Sequence, residues 1–476
     1  MAQGLTGGVE KEYIKNAVSG SVDHGSSLDY EHNRSHSTPL IMAQYIENDI
    51  VYKCLDRNES RDFKQEKIFT SVSSGGVEAG SHAYIWDMAC ACELSNGNIA
   101  FAYRLDADND LYIKIINPFT DVEIKSETAI QTNAVKFIQM ISVPEDETFI
   151  VGYYDIDGDA YKFIILNNDG TTAVSTVTVA SGNYAHADGY CSLALFPDQD
   201  HFAFIFCGNS ADVNADNGCF RIYDSTSGSA VSSIICPTGT WGCANNFGYV
   251  TDEELLVVGY AEDTSAVPRF YVYDCSTPAT PTDAYSGGSY FSPTWLEYYI
   301  FHVWMGVNPD DNNRFTWLCY TDPQDQLAIH QMELQGTGAN RTIVQISTTM
   351  TTEANGFPYW GGCINSYGDS LIVCTTASAG RPDPTNVPMI NLFDKNGFYY
   401  NNGDYSIGGV AYEYGRAIPI TGGFALIGRN TSDSNKLYYS LIRKEHFVIE
   451  IIDANNVKVW NWSNKTRTIK ATVVGV

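Results

Sequence analysis

Several features that usually direct an assignment are missing from this sequence of 476 residues. No apolar stretch approaches the roughly 20 residues that a membrane-spanning helix needs. No long segment repeats its apolar residues at the helical period, so few helices are predicted. The first residues, MAQGLTGGVEKEY, have neither the basic nor the apolar region of a secretory signal. These absences predict a chain that folds in the cytoplasm and has no membrane partner.

Basic charge is scarce in the chain. Lys and Arg number 28 against 56 Asp and Glu, which gives a net charge of -28. A negative potential of this size opposes binding to nucleic acid and to anionic membranes. The sequence therefore predicts neither kind of partner.

Motifs of the common enzyme classes are also absent. The chain has no GxSxG, HExxH, Walker or dinucleotide-binding motif, and the SxDxGxTW motif of sialidases does not recur. No catalytic residue is predicted. A pair of carboxylates that cleaves a glycosidic bond would not be visible in one sequence with so many Asp and Glu residues. A carbohydrate-active enzyme therefore stays among the alternatives.

The 12 cysteines do not form a recognisable disulfide framework. Cys207, Cys319 and Cys374 occupy a small-residue position of the repeat described next, and Cys90 and Cys92 lie two apart in one predicted strand. We expect most of the cysteines to be buried thiols, as in a protein of a reducing cytoplasm.

What the sequence does contain is a repeat. Seven times, a short apolar run reaches Ala, Gly or Cys at the same relative position and then breaks into a turn rich in Asp or Asn. The spacing of about 50 to 60 residues is too long for a helical-hairpin repeat and is typical of a propeller blade. The seven small residues are Ala102, Gly152, Cys207, Gly259, Cys319, Cys374 and Gly428.

Each repeat contains further strand-like runs on both sides of the small residue. LYIKII at 111–116 and YKFIIL at 161–166 follow the polar loops of the first two repeats. Four strands, A to D, make one blade, and small residues suit the crowded inner strands of neighbouring blades. The sequence predicts an all-β fold with a seven-bladed β-propeller of four-stranded antiparallel blades.

The two ends of the chain differ from the repeat. Residues 1–38 lack an apolar period, so we expect an extended N-terminal arm that orders against a partner, or a solvated tail. Residues 39–81 and 444–476 contain strand-like runs on either side of the propeller at 82–443. We expect these two segments to pair, either as a small β-domain, which we prefer, or as strands that close the ring.

The B–C loops and the D-to-A connections lie at the same end of antiparallel blades, and unusual residues fall there. Aromatic rings beside carboxylates suit a sugar, which stacks on rings and needs directional partners for its hydroxyls. Burial of the same aromatics between blades is the other interpretation, and the sequence leaves both open. The candidate ligand-binding residues are Trp86, Tyr184, Trp241, Trp295, Tyr359, Trp360 and Tyr412.

Two B–C loops have alternating carboxylates that could coordinate calcium, which takes about six to eight oxygen ligands. Asp is equally typical of hairpin turns, so a calcium site is one of two interpretations, and no other cofactor is predicted. The loop residues are Asp106, Asp108, Asp110, Asp155, Asp157 and Asp159.

The C-terminal segment VKVWNWSNKTRTIKATVVGV resembles the terminal strands of tailed-phage fibre and capsid-associated proteins, in which a polar turn precedes a last apolar strand. The resemblance implies a virion structural or adhesion protein, folded in the host cytoplasm and part of an oligomeric assembly. Its propeller face would bind a host-surface glycan or a neighbouring virion subunit, and its N-terminal arm would contact other virion subunits. A glycoside hydrolase or lyase and a cellular protein-binding scaffold are the alternatives.

Overall fold

A computed structural model describes most of the chain as strands and tight turns. Every regular element in the described residues is a β-strand, which confirms the all-β prediction. Within the same residues, no helix has the length and hydropathy needed to cross a membrane. The described residues are 14–22, 27–31, 39–47, 50–54, 75–78, 89–105, 108–117, 122–181, 191–209, 216–237, 245–261, 268–285, 304–308, 311–321, 326–338, 340–350, 356–357, 362–364, 370–378, 381–382, 388–393, 399–404, 412–420, 423–430, 436–443, 447–451, 456–461 and 467–475.

The chain divides into two compact units. The smaller unit contains residues 1–73, 118–122 and 441–476, and the larger unit contains residues 74–117 and 123–440. The strands of the smaller unit are β1 (Ile14–Val22), β2 (Ser27–Glu31), β3 (Pro39–Glu47), β4 (Ile50–Cys54), β34 (Phe447–Ile451), β35 (Asn456–Asn461) and β36 (Arg467–Gly475).

In the smaller unit, strands from both ends of the chain pair with one another. One sheet has the order β1-β36-β3-β4 and the other has the order β2-β35-β34. Ala471 of β36 lies opposite Val18 on one side and Ala43 on the other. Strands β1 and β2 fall in the segment for which the sequence predicted an extended arm. They form without an apolar period because strand pairing is made by backbone hydrogen bonds.

The larger unit consists of antiparallel sheets, built from strands that are consecutive along the chain except for one strand of the last sheet. The described residues form seven such sheets. The first sheet contains β6 (Ala89–Glu93), β7 (Ile99–Arg104), β8 (Leu111–Asn117) and β9 (Val122–Gln131), and the second contains β10 (Val135–Val143), β11 (Thr148–Asp155), β12 (Ala160–Asn167) and β13 (Thr172–Ser181). The third contains β14 (Cys191–Leu195), β15 (His201–Asn209) and β16 (Asp216–Asp224), the fourth contains β17 (Asn245–Val250), β18 (Leu255–Ala261), β19 (Pro268–Asp274) and β20 (Thr282–Asp283), and the fifth contains β21 (Trp304–Asn308), β22 (Asp311–Thr321), β23 (Gln326–Gln335) and β24 (Thr342–Met350). The sixth contains β25 (Gly356–Phe357), β26 (Gly362–Ile364), β27 (Ser370–Ser378), β28 (Arg381–Pro382), β29 (Pro388–Phe393) and β30 (Tyr399–Asp404), and the seventh contains β31 (Tyr412–Ile420), β32 (Gly423–Asn430) and β33 (Lys436–Arg443) with β5 (Gly75–Glu78).

The four-stranded antiparallel sheets predicted from the sequence are confirmed in most of the larger unit. The seventh sheet takes its fourth strand from the N-terminal part of the chain, because β5 pairs with β33 and places Val77 opposite Leu437. In the sixth sheet, β25 and β26 both pair with β27. These two short strands together take the position that a single first strand has in the other sheets. The third sheet has three regular strands within the described residues.

The first strands of successive sheets contact one another in cyclic order. Strand β6 contacts β10, and the series continues through β14, β17, β21, β26 and β31, which contacts β6. Side chains of adjacent sheets are close behind these strands. A Cβ atom on Gly152 would lie 2.8 Å from the ring of Phe204 in the third sheet. This contact explains why the repeated position is small at Gly152.

The apolar core lies between adjacent sheets. One cluster joins the first and second sheets and includes Ile113 and Val151. A second cluster joins the second and third sheets, where the rings of Phe163 and Tyr223 have centroids 4.9 Å apart. Further clusters join the third to the fourth sheet and the fourth to the fifth. Each sheet of this part therefore stabilises its two neighbours through burial of apolar surface.

Polar contacts between turns also link adjacent sheets. The Asn168 side chain in the second sheet donates a hydrogen bond to Ser95 Oγ in the first sheet at 2.7 Å. Arg341, at the start of the last strand of the fifth sheet, forms an ion pair with Glu253 in the fourth. Each contact joins the C–D turn of one sheet to the A–B turn of its neighbour, at the end opposite to the B–C loops.

The cysteines depart in part from the sequence prediction. Cys219 is disulfide-bonded to Cys236, and Cys207 is also disulfide-bonded, so the expectation of a thiol at Cys207 is wrong. All three lie in the third sheet or directly after it, where a regular fourth strand is missing from the described residues. Among the cysteines whose side chains are described, those that are buried and not disulfide-bonded are Cys90, Cys92, Cys191, Cys275 and Cys363.

Candidate functional site

The candidate site lies where the B–C loops of the first two sheets meet the connection between these sheets. We call this region the B–C end and define it by the described residues of 104–112 and by residues 131–139 and 154–162. Antiparallel pairing brings the three segments together, because β7, β9 and β11 all end at this side and β8, β10 and β12 all begin there.

Strand β10 begins with a strained bulge. Its register with β11 shifts between Lys136 and Gln139, and Phe137 has a φ of 57°. A positive φ is rare for a bulky residue and costs free energy. The thiol of Cys191 donates to the Phe137 carbonyl at 3.0 Å, which helps to hold this conformation. Bulges and strained residues are concentrated at functional sites, so Phe137 marks the centre of the candidate site.

Three chemically different groups lie beside the bulge. The Lys136 ammonium is 4.8 Å from the ring centre of Phe137 and 5.4 Å from that of Tyr154. The Tyr154 hydroxyl donates a short hydrogen bond to the carboxylate of Asp159. The Tyr154 ring also meets Tyr161 edge to face, with centroids 5.1 Å apart. A cation, a phenol and an exposed carboxylate are therefore held close together by packed aromatic rings.

The loop that carries Asp159 is fixed by the buried carboxylate of Asp155. This carboxylate accepts hydrogen bonds from Lys162 Nζ at 2.5 Å, from the Asn133 amide at 2.9 Å and from Gly158 N–H at 2.9 Å. Burial opposes its ionisation, but Lys162, Asn133 and Gly158 outweigh burial and lower the pKa of Asp155. A Cβ atom on Gly158 would lie 2.6 Å from Asp155 Oδ2, so the turn requires glycine.

The loop of the first sheet has its own polar network. Asp108 accepts hydrogen bonds from the Tyr112 hydroxyl at 2.7 Å and from Asp110 N–H at 3.0 Å. The bond from Tyr112 to Asp108 stabilises the protonated phenol and raises the pKa of Tyr112 to about 12. Desolvation and the neighbouring Asp108 raise the pKa of Asp110. Arg104 donates from Nε to the Asn109 side chain at 2.9 Å and from Nη1 to the Val135 carbonyl at 3.4 Å, which joins this loop to β10.

The carboxylates for which the sequence suggested a calcium site each have a different partner in the structure. Asp155 is neutralised by Lys162, Asp157 accepts the Ala134 N–H at 3.1 Å, and Asp159 accepts from Tyr154. Asp106 lies outside the described residues. Among the residues that the structure describes, no group of three or more His, Cys, Asp or Glu is arranged to hold a metal ion. Calcium at these loops stays a prediction.

The structure does not describe the side chains of the aromatic residues that the sequence proposed for ligand binding. Tyr412 begins β31, and its side chain is not described. A role in ligand binding stays a prediction for all seven. Those outside the described residues are Trp86, Tyr184, Trp241, Trp295, Tyr359 and Trp360.

Sequence analysis missed the residues that make the B–C end unusual. Lys136 and Phe137 open the run KFIQMISV, which predicts an ordinary strand. No local signal marks the positive φ of Phe137, because it depends on the carbonyl contact with Cys191 in another sheet. The link between Asp155 and Lys162 could have been suspected, since a hairpin at 155–160 places the two strands side by side.

Comparisons with known proteins give fold similarity alone. No family model matches the chain, and no curated protein is similar to it in sequence. Hydrazine synthase of Kuenenia stuttgartiensis is similar in structure, with a TM-score of 0.49 and 10% identity, over 77% of this chain and 99% of that chain. The Dos1 propeller is similar with a TM-score of 0.45 and 10% identity, over 79% of this chain and 96% of that chain.

An oligogalacturonate lyase in complex with manganese is also similar, with a TM-score of 0.45 and 10% identity, over 89% of this chain and 98% of that chain. At these TM-scores and identities, the similarities say nothing about the activity of this chain. The resemblance of the C-terminal segment to tailed-phage proteins has no counterpart among these three structures.

Proposed function

We propose that the larger unit is a seven-bladed β-propeller and that it acts on a carbohydrate at the B–C end. The cyclic contacts of the first strands, from β6 through β31 and back to β6, support the propeller. The pairing of β5 with β33 supports a closed ring, because it joins the first and last parts of the unit in one sheet. Each of the seven sheets is one blade in this proposal.

The strained Phe137 beside Lys136 and the Tyr154–Asp159 pair is the observation that carries the function. The exposed Asp159 carboxylate, which accepts a hydrogen bond from buried Tyr154, can give or take a proton during the cleavage of a glycosidic bond. The Lys136 ammonium can stabilise negative charge that develops on the substrate. Exposed carboxylates at Asp157 and Asp159 provide acceptors for sugar hydroxyls. The proposed class is a glycoside hydrolase or lyase.

Turnover of a panel of neutral and acidic polysaccharides tests this proposal, with reducing ends and unsaturated products measured separately. Asp159→Asn and Lys136→Met should each lower turnover by about a hundredfold or more, the lower range of general acid–base and of electrostatic contributions. Lys114→Met is the matched control, because it also removes one positive charge, and Lys114 on β8 pairs with exposed Glu123 on β9. It should retain full turnover. Absence of turnover on every polysaccharide, or equal turnover in all variants, would contradict an enzymatic site.

A non-catalytic virion adhesin is the second candidate. The smaller unit favours it, because strands from both ends of the chain pair there in a unit of their own that could serve as an attachment module. A glycan array that gives binding without product formation would favour this candidate over the enzyme. Detection of the protein in purified virions by mass spectrometry tests the localisation and the virion partners.

A further inference from the structure

The third sheet ends in an irregular segment where its neighbours have a fourth strand. In the second sheet, β13 is a regular strand of 10 residues that covers β12. In the third sheet, residues 229–236 touch β16 at two isolated bridges, Ala230 with Tyr223 and Ile235 with Phe220. We call residues 229–236 the edge segment.

Side chains replace part of the missing ladder between these bridges. The Ile222 N–H donates to Ser232 Oγ at 2.9 Å instead of to a backbone carbonyl. Arg221 Nε donates to the Ser232 carbonyl at 3.0 Å. Five backbone hydrogen bonds join the edge segment to β16, but its pairing is irregular between the two bridges. An irregular edge opens more easily than a full ladder.

A covalent bond fastens the edge segment at its far end. Cys219 of β16 is fully buried, and it is joined to Cys236, with a Cα–Cα distance of 4.2 Å. The two cysteines are 17 residues apart in sequence. The bond closes a loop that contains the end of β16, its turn and the whole edge segment, and closure of such a loop strongly restricts its open conformations.

We propose that the Cys219–Cys236 bond is a redox-sensitive clasp of the third sheet. The thiolate of a dithiol attacks the sulfur of Cys236, the less buried of the two residues, and Cys219 leaves as a thiolate that is then protonated. The second thiol of the reductant resolves the mixed disulfide. The products are two cysteine thiols and one oxidised dithiol. The clasp is closed in oxidising surroundings and opens in a reducing cytoplasm.

Opening of the clasp releases the edge segment and uncovers β16. The backbone groups of Phe220 and Ile222, which bond to the edge segment in the closed state, then form an open sheet edge. An uncovered edge is a template for pairing with another strand. The redox state therefore controls whether this edge of β16 is covered.

Hydrogen exchange followed by mass spectrometry tests the clasp in the full-length protein. Peptides that cover 219–236 should lose protection by about a hundredfold after treatment with dithiothreitol, the factor expected for opening a loop of this length. Because Cys207 is also disulfide-bonded, the variant Cys219→Ala with Cys236→Ala isolates this bond. The double variant should show the same loss without reductant. Cys275→Ala, which removes a buried thiol of the fourth sheet, is the control and should keep protection.

Two results would overturn the proposal. One is alkylation of Cys219 and Cys236 in protein that was purified under air without reductant, which would mean that the bond is not formed. The other is unchanged protection of 219–236 in reduced protein in which mass spectrometry finds both cysteines alkylated. The second result is decisive even where the double variant does not fold, because it uses the folded natural chain.

Discussion

A Cβ atom on Gly306 would lie only 2.6 Å from the Cβ atom of Ile364. Gly306 belongs to β21 and Ile364 to β26, so the two residues join the first strands of the fifth and sixth sheets. Both Cβ positions are fixed by the backbone, and no change of rotamer can separate them. The absence of a side chain at Gly306 therefore sets the distance at which these two strands pack.

We expect Gly306→Ala to lower the free energy of unfolding by about 2 kcal/mol, as in overpacked cores. Gly152→Ala is the comparison, because its nearest neighbour is the ring edge of Phe204, which can tilt away. Gly152→Ala should therefore lose less free energy of unfolding than Gly306→Ala. Equilibrium denaturation in urea measures the loss in each variant. Equal losses would contradict the account in which the fixed Cβ positions prevent relaxation at Gly306.

Three A–B turns hold a residue other than glycine at positive φ. Glu147, Gln199 and Glu254 have φ values of 52°, 57° and 59°, and Gly97 occupies the same place in the first sheet with 78°. Glu147→Gly should raise the free energy of unfolding by about 1 kcal/mol, because glycine avoids the strain of this conformation. Glu145→Gly, in the same turn and without a positive φ, should lower it. Thermal and urea denaturation would show the opposite signs.

His330 predicts a dependence of stability on pH. Its ring is buried and lies against Trp317 with centroids 4.7 Å apart, and burial lowers the pKa of His330 from 6.5 to about 3. Between these values the unfolded chain binds a proton that the folded chain excludes. The free energy of unfolding should therefore fall as the pH drops from 6.5 towards 3, by up to about 1.4 kcal/mol per pH unit.

Urea denaturation at pH 7 and pH 5 checks this slope. His330→Gln should reduce it, whatever its effect on stability at pH 7. His201→Gln is the control, because His201 is partly exposed and pairs with Asp198 at 2.8 Å. A slope that is unchanged in His330→Gln would show that other groups cause the acid sensitivity.

The Asp155–Lys162 pair predicts a large effect of removing one charge. Lys162→Met leaves the fully buried carboxylate without its cation and should lower the free energy of unfolding by about 3 kcal/mol. The double variant Lys162→Met with Asp155→Asn should lose less free energy of unfolding, because it leaves no unpaired charge buried. Lys114→Met, from the exposed pair with Glu123, should lose less than about 1 kcal/mol. A double-mutant cycle gives the coupling, and a double variant that is less stable than Lys162→Met would contradict this account.

Low pH should also weaken the Asp155–Lys162 pair, over a lower pH range than the one that His330 affects. Because the pKa of Asp155 is lowered in the folded state from 3.8, its contribution is fully present above that value. It is lost as the pH falls through the folded pKa. The stability difference between the natural chain and Asp155→Asn should therefore be constant from pH 7 to pH 5 and shrink below pH 4, as urea denaturation can measure.

The sequence predicted the larger unit well where the signal is local. Alternating apolar residues and Asp-rich turns repeat in each sheet, and small residues such as Gly152 lie where a neighbouring sheet approaches. Within the described residues, the loops at 108–110 and 155–159 were also located correctly. The roles of the loop carboxylates were not predicted from the sequence. Their partners, Lys162 for Asp155 and Tyr154 for Asp159, depend on the geometry of the folded loop.

The amino-acid sequence by itself determined the strands, their alternation and the small positions, since each depends on residues within one repeat. Tertiary structure decided which strands from opposite ends of the chain pair, such as β1 with β36 and β5 with β33. It also decided the strained Phe137 and the Cys219–Cys236 bond. The physical reason is that backbone hydrogen bonds join strands almost regardless of side chain, so distant pairing leaves little trace in the sequence.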